Sequence, residues 1–362
     1  MDYICGNCIG EEYLKKYIRK NGIKNYCSYC SMKKEVIEFE KIIDIINDGL
    51  LYLYDDPVNG LGWEDGEYIE GTSPVQNSYD LLGEYFDVDE RVFQDLNSFF
   101  SDNLWCKKDF YGLDDSEESI FTWENFKDIT KHKFRFFFNF SSFSESEYSK
   151  YKKPNDILKE IMKISSRLSL FTILKKGSVL FRARSGYHLS LNELCSPAPQ
   201  ESLYSNRFSP AGISMFYGSE DETTCLKEID KTTDCSIGQW ELLQDVLIFD
   251  LAYKFQFNNG RYYFRNFPSI FDTERRRYYH DYKFILDLAS DISKIVIKDK
   301  DENIDYVPTQ IVTEYLKLHK NKLMGIRYYS TKNGQKNYCL FIDKKDCERG
   351  KILKMINSFY IK

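Results

Sequence analysis

Apolar positions change their spacing near residue 165. Before it they recur mostly every three or four residues, as helices require; after it they come in short runs between turn residues. Leu14, Tyr17 and Ile18 share one helical face, and Gly22 stands where that helix would close. Apolar residues at 36, 37, 39, 42, 43, 45 and 46 predict a helix from Met32 to about Leu53. Residues 55–80 are acidic and loop-rich, "ERVFQDLNSFFSDNLW" (90–105) predicts another helix, and "FRFFFNF" (134–140) predicts a buried strand. Ile157, Leu158, Ile161, Met162, Ile164 and Leu168 then stripe an amphipathic helix. The expected division is a mainly helical N-terminal domain over 1–165 and a second domain over 166–362.

In the second part, "GSVLFRAR" (177–184) is a strand that sets Arg182 and Arg184 on one face with Leu180. Residues 213–217 form a short strand, followed by a helix whose expected N-cap is Ser219, with Glu222 three residues on. "VLIFDLAYKF" (246–255) is strand-like, and 308–318 a helix with Gln310 at its start, placed near a site entrance or as a cap. "MGIRYYS" and "NYCLFID" flank Asn333-Gly334, a strong hairpin signal. The chain as a whole is therefore expected to be α+β.

Composition narrows the function classes. A chain of 362 residues that is 42% apolar, with 8 Pro and 19 Gly, has enough material for two folded domains. A net charge of −6 without a long Lys/Arg block argues against a protein that lives by gripping nucleic-acid backbone. Neither a secretory signal nor a membrane span is evident, so a cytoplasmic protein is expected. Cys5, Cys8, Cys27 and Cys30 have the C-x2-C, 18 residues, C-x2-C spacing of a zinc ribbon. Four thiolates leave zinc no open position, so the expected role is structural.

Arg182 on a strand, Arg207 before a turn, Tyr217 to Glu228 across a strand–helix joint and Ser330 on a hairpin strand stand in order. With "LFRARSG", "NRFSPAGISMFYGSEDETTCLKEI", "DYVPTQIVTEYL" and "GIRYYSTKNGQKNYCLF", this layout resembles the RES-domain family of bacterial toxins over roughly residues 170–350. The N-terminal half resembles the zinc-bearing extension found ahead of some RES and HEPN domains. The resemblance implies an ADP-ribosyltransferase-like fold and consumption of NAD+. It assigns Arg182, Glu228 and Ser330 to the naming triad and Tyr217 to an active-site tyrosine. Arg182, Arg184, Arg207 and Tyr217 become the expected NAD+-binding residues, and toxin–antitoxin or anti-phage biology the expected setting.

Breaking the nicotinamide–ribose bond builds positive charge on the sugar, which a carboxylate stabilises; Glu228 is the candidate. Arg182 would grip the pyrophosphate through a planar fork. Tyr217 would stack on the nicotinamide end and Ser330 orient Glu228 or hold the ribose. Glycohydrolase, phosphorylase and ADP-ribosyltransferase readings all stay open, as do an antitoxin, a sensor, a phage-derived trigger or a homo-oligomer as partner. Two rivals belong to other classes. Arg275-x4-His280 spells the mark of a HEPN ribonuclease, and Lys15, Lys16, Arg19, Lys20 and Lys24 offer a basic face for a zinc-dependent binding module with an inert RES half.

Overall fold

The computed structural model describes residues 2–69, 71–136, 156–258, 261–293, 302–319 and 322–362. The chain forms two compact units, one of residues 1–116 with 267–282, the other of residues 117–266 with 283–362. Among the described residues no helix is long and apolar enough to cross a membrane.

In the first unit, strands β1 (Tyr3–Cys5), β2 (Ile23–Tyr26) and β3 (Lys33–Glu38) make a sheet in the order β1-β3-β2. Between β1 and β2 runs helix α1 (Glu12–Asn21), capped by the Glu11 carboxylate, which accepts from Leu14 N at 2.8 Å. Gly22 ends α1 as the sequence implies, and its N–H donates to Ile18 O. The reason for glycine is close approach rather than φ: a Cβ there would lie 2.5 Å from Ile18 O and 2.7 Å from Val36 O. The helix expected from Met32 begins only at Phe39, as α2 (Phe39–Leu53). Residues 33–38 are instead the central strand of the sheet, where Val36 and Ile37 are both buried. Helices α3 (Ser78–Tyr85) and α4 (Glu90–Phe100) complete the core with Ile42, Ile46, Leu50, Leu81, Val92 and Leu96. The helix read over 90–105 thus stops at Phe100, and Leu104–Lys107 is a strand.

Residues 117–136 belong with the second unit although they precede residue 165. Helix α5 (Asp115–Asp128) carries Trp123, whose Nε1 donates to Asp291 at 2.9 Å, and the π-helical turn after it places Lys131 on Asp305 at 2.7 Å. The aromatic run at 134–140 lies mostly outside the described residues. Phe134 and Phe136, which are described, are exposed and outside any strand. Helix α6 (Asp156–Arg167) is amphipathic as expected and buries Ile157, Ile161 and Ile164.

The second unit is built on an eight-stranded sheet. Its strands are β4 (Phe171–Leu174), β5 (Val179–Ser185), β6 (Phe216–Ser219), β7 (Cys235–Leu242), β8 (Val246–Asp250), β9 (Gly325–Tyr329), β10 (Lys336–Leu340) and β11 (Leu353–Ile361). The order is β11-β7-β5-β6-β10-β9-β8-β4, antiparallel except for the β8–β9 pair. Leu180, Phe216, Trp240, Ile248, Tyr338 and Leu340 share one core cluster. The hairpin of β9 and β10 turns at Asn333-Gly334 as the sequence implies, with Gly334 at φ 70°. The run read as strand to residue 255 ends at Asp250, whose carboxylate accepts from Ala252 N and pairs in a fork with Arg327.

Candidate active site

Neighbouring strands β5 and β6 share only the pair Phe181↔Ser219. Beyond it the ladder is replaced by a side chain, for Arg182 Nη1 donates to Tyr217 O at 2.9 Å. At this gap lies a cavity of about 310 Å³ lined by Arg182, Tyr217, Ser219, Glu228, Tyr328 and Asn337, with Phe181 and Met215 among its apolar walls. Sequence reasoning expected a strand over 213–217. The observed β6 starts at Phe216, so Tyr217 is its second residue rather than its last.

Glu228 is the last residue of helix α7 (Glu222–Glu228). The N-cap of this helix is Asp221, not Ser219: the Asp221 carboxylate accepts from Thr224 N at 2.8 Å and Thr224 Oγ1 at 2.7 Å. Ser219 is still in β6, with its hydroxyl committed to Asn337 Oδ1 at 2.6 Å. The β9–β10 turn clamps the same helix. Lys332 Nζ donates to the carbonyls of Lys227 at 2.9 Å and Glu228 at 3.3 Å, and Asn333 Nδ2 donates to Thr224 Oγ1 at 2.7 Å. Glu228 Oε1 accepts from Ser330 Oγ at 2.5 Å and from Asn337 Nδ2 at 2.7 Å. Among the described residues Glu228 is the one carboxylate lining the cavity; Glu220, bonded to Tyr338 and Lys336, and Glu222 do not line it.

The aromatic and basic groups divide their tasks. Tyr217 OH and Ser209 Oγ are 2.9 Å apart, and burial pushes the Tyr217 phenol well above its usual range, so it stays neutral. Tyr328, raised by the same cause, packs against Phe208 with ring centres 4.7 Å apart. Burial likewise draws the Arg182 guanidinium below its ordinary value, yet arginine remains a cation. Arg207 is not in the lining; its guanidinium lies over the Tyr328 ring at 6.0 Å from the centroid. Arg184, on the same strand as Arg182, is exposed and donates to Glu193 O at 2.7 Å, outside the cavity. Ser330 touches the site through Glu228 rather than by lining it. Gln310 is buried and donates to Asn206 O at 2.8 Å, bracing the loop that forms one wall.

Ser209, Tyr328 and Asn337 were not among the site residues that sequence reasoning named, and Ser219 was read only as a helix cap. For Asn337 a signal existed: an asparagine opening the apolar run "NYCLF" is an unusual strand residue.

In the first unit, Cys5, Cys8, Cys27 and Cys30 bring their sulfurs within 4.8 Å of one another. Three of the separations are 3.6, 3.8 and 3.8 Å. Tetrahedral zinc with bonds of about 2.3 Å to sulfur sets edges of about 3.8 Å, so the residues fit that metal. Arg275 and His280 lie in the 267–282 segment of this unit, not with the cavity. His280 Nδ1 is 3.3 Å from both Ser116 Oγ and Asp114 Oδ1.

An α+β protein whose splayed sheet holds one carboxylate and one guanidinium over a small cavity is the class these observations define. The sequence matches the model of HEPN/RES N-terminal domain 1 over residues 20–144 and that of the RES domain over residues 179–357. The chain belongs to the RES-domain family, with a HEPN/RES N-terminal domain ahead of the RES domain. No curated protein matches it. Among solved structures, the M. tuberculosis MbcT–MbcA toxin–antitoxin complex is similar at 12% identity and a TM-score of 0.32, over 55% of this chain and 90% of that one. Overlap that loose carries no argument.

Proposed function

We propose that the protein is a RES-type toxin or defence effector that cleaves the nicotinamide–ribose bond of NAD+ in the second-unit cavity. The observation that carries this reading is the presence of Glu228, held through one oxygen by Ser330 and Asn337, in the lining of the same cavity as Arg182. In the reaction the C1′–N bond breaks and its electron pair stays on the ring nitrogen, so pyridinium becomes neutral nicotinamide. Positive charge develops at C1′ and the ribose ring oxygen, where the carboxylate of Glu228 stabilises it. Water or inorganic phosphate then adds to C1′; water loses a proton to solvent and gives ADP-ribose, while phosphate gives the phosphorylated sugar. Arg182 takes the pyrophosphate, and Tyr217 or Tyr328 offers a ring face to nicotinamide. A cavity of about 310 Å³ is at the small end for ligand pockets, which suits one half of the dinucleotide.

Incubating the purified chain with NAD+, with and without phosphate, and resolving products by mass tests this directly. Nicotinamide with ADP-ribose assigns a glycohydrolase, and a phosphate-dependent adduct assigns a phosphorylase. ADP-ribose retained on protein or added nucleic acid assigns a transferase. No change in NAD+ supports the remaining reading, a binding module with an inert RES half. The same proposal gives the cysteine cluster one structural zinc and the N-terminal domain a controlling role, in the cytoplasm, alongside an antitoxin, a sensed trigger or self-association.

A further inference from the structure

The Glu228 carboxylate has two unlike oxygens. Oε1 accepts from Ser330 and from Asn337, whereas Oε2 has no hydrogen-bond partner among the described residues. Two donors on one oxygen fix the carboxyl group and leave the other oxygen to a ligand. Asn337 is only 2% exposed and sits in strand β10, a poor place for asparagine unless something holds it. The antiparallel register pairs it directly with Ser219, so both side chains stand on one face of the sheet. Ser219 Oγ donates to Asn337 Oδ1 at 2.6 Å and Asn337 Nδ2 donates to Glu228 at 2.7 Å; a hydroxyl would serve either end of the amide, so the accepting carboxylate sets its orientation. The flipped amide would set an oxygen against the carboxylate.

We propose that Asn337, braced by Ser219, is a positioning residue that holds Glu228 through Oε1 and presents its Oε2 to the substrate. The proposal rests on the preceding reading only in taking Glu228 to act on a bound ligand. Other charged or titratable groups surround Glu228: Arg182, Tyr217, Tyr328 and Cys225 on the cavity wall, and Lys332 with its partner Asp230 beyond the helix end. Replacing Asn337 or Ser219 leaves all of these in place.

The test follows NAD+ turnover against pH in the full chain and in Asn337→Asp, Asn337→Ala and Ser219→Ala. In parallel, the glutamate carboxyl carbons are titrated by carbon-13 NMR, with Glu228 identified by its loss in Glu228→Gln. Asn337→Asp sets a second carboxylate beside Oε1. Like charges disfavour joint ionisation, so the acid limb of kcat and the Glu228 carbon transition should both move up by about one pH unit or more. At neutral pH kcat should fall roughly tenfold or more, with KM within about twofold. Asn337→Ala should lower kcat similarly with a smaller move of the limb, and Ser219→Ala should act in the same direction more weakly. An unmoved limb and an unmoved carbon transition in Asn337→Asp overturn the proposal. If that variant does not fold, the same result in Ser219→Ala overturns it. A wild-type chain that consumes no NAD+ overturns the functional reading alone, and the carbon titration still decides for or against Asn337.

Discussion

Arg182 is engaged before any ligand arrives. One guanidinium nitrogen spans the gap to Tyr217 O, and the group lies 5.6 Å from the centre of the Phe216 ring. Only a forked donor can keep that bond and still present nitrogens to a phosphate pair. Arg182→Lys is therefore expected to raise KM for NAD+ about tenfold or more while kcat changes less, read from initial rates over an NAD+ series. Equal loss in kcat with KM unchanged would instead give Arg182 a transition-state role. Arg182, Tyr217 and Glu228 were legible in the sequence because each sits inside a local motif. Ser330, expected to orient Glu228 or hold the ribose, does bond its carboxylate; Asn337 was not legible, because it reaches Glu228 across 109 residues and only strand pairing brings it there. Arg184 shows the reverse: alternation put it on the Arg182 side, but the strand runs past the cavity before reaching it.

Helix α7 has seven residues and little strength of its own, so its ends decide where Glu228 stands. Asp221 caps one end, and Lys332 ties the other. Asp221→Ala should cost about 1 kcal/mol by thermal or denaturant unfolding and lower NAD+ turnover with it. Unchanged stability would mean that the β9–β10 turn alone seats the helix. That cap was misread at Ser219 because Ser219 and Glu222 have capping-box spacing, while Asp221, two residues later, offers the stronger local acceptor. The same competition explains the late start of α2, since residues 33–38 pair on both sides within the small sheet. The cysteine knuckles, by contrast, were legible from spacing alone. Metal analysis should find about one zinc per chain, lost when Cys5 and Cys8 are both replaced by Ser; metal-free protein from chelator-free preparation contradicts the site.

The whole chain divides differently by compactness than by motif. A functional boundary near 165 would cut away α5 and α6, yet Trp123, Lys131, Ile157, Ile161 and Ile164 are all held inside the second unit. Each fully buried isoleucine contributes roughly 1.5–3 kcal/mol. A fragment of residues 166–362 should therefore unfold at distinctly lower temperature or denaturant than one of residues 117–362. Equal midpoints would restore 165 as a structural boundary, and control by the N-terminal domain could then be examined with the shorter piece. The central claim, though, stands on one carboxylate. Nicotinamide release from NAD+ by the purified full chain, compared with Glu228→Gln, tests it most directly. The account predicts steady release by the wild type and a loss of about 10²-fold or more in the variant, at an unfolding midpoint close to the wild type. Release by Glu228→Gln at the wild-type rate would contradict it.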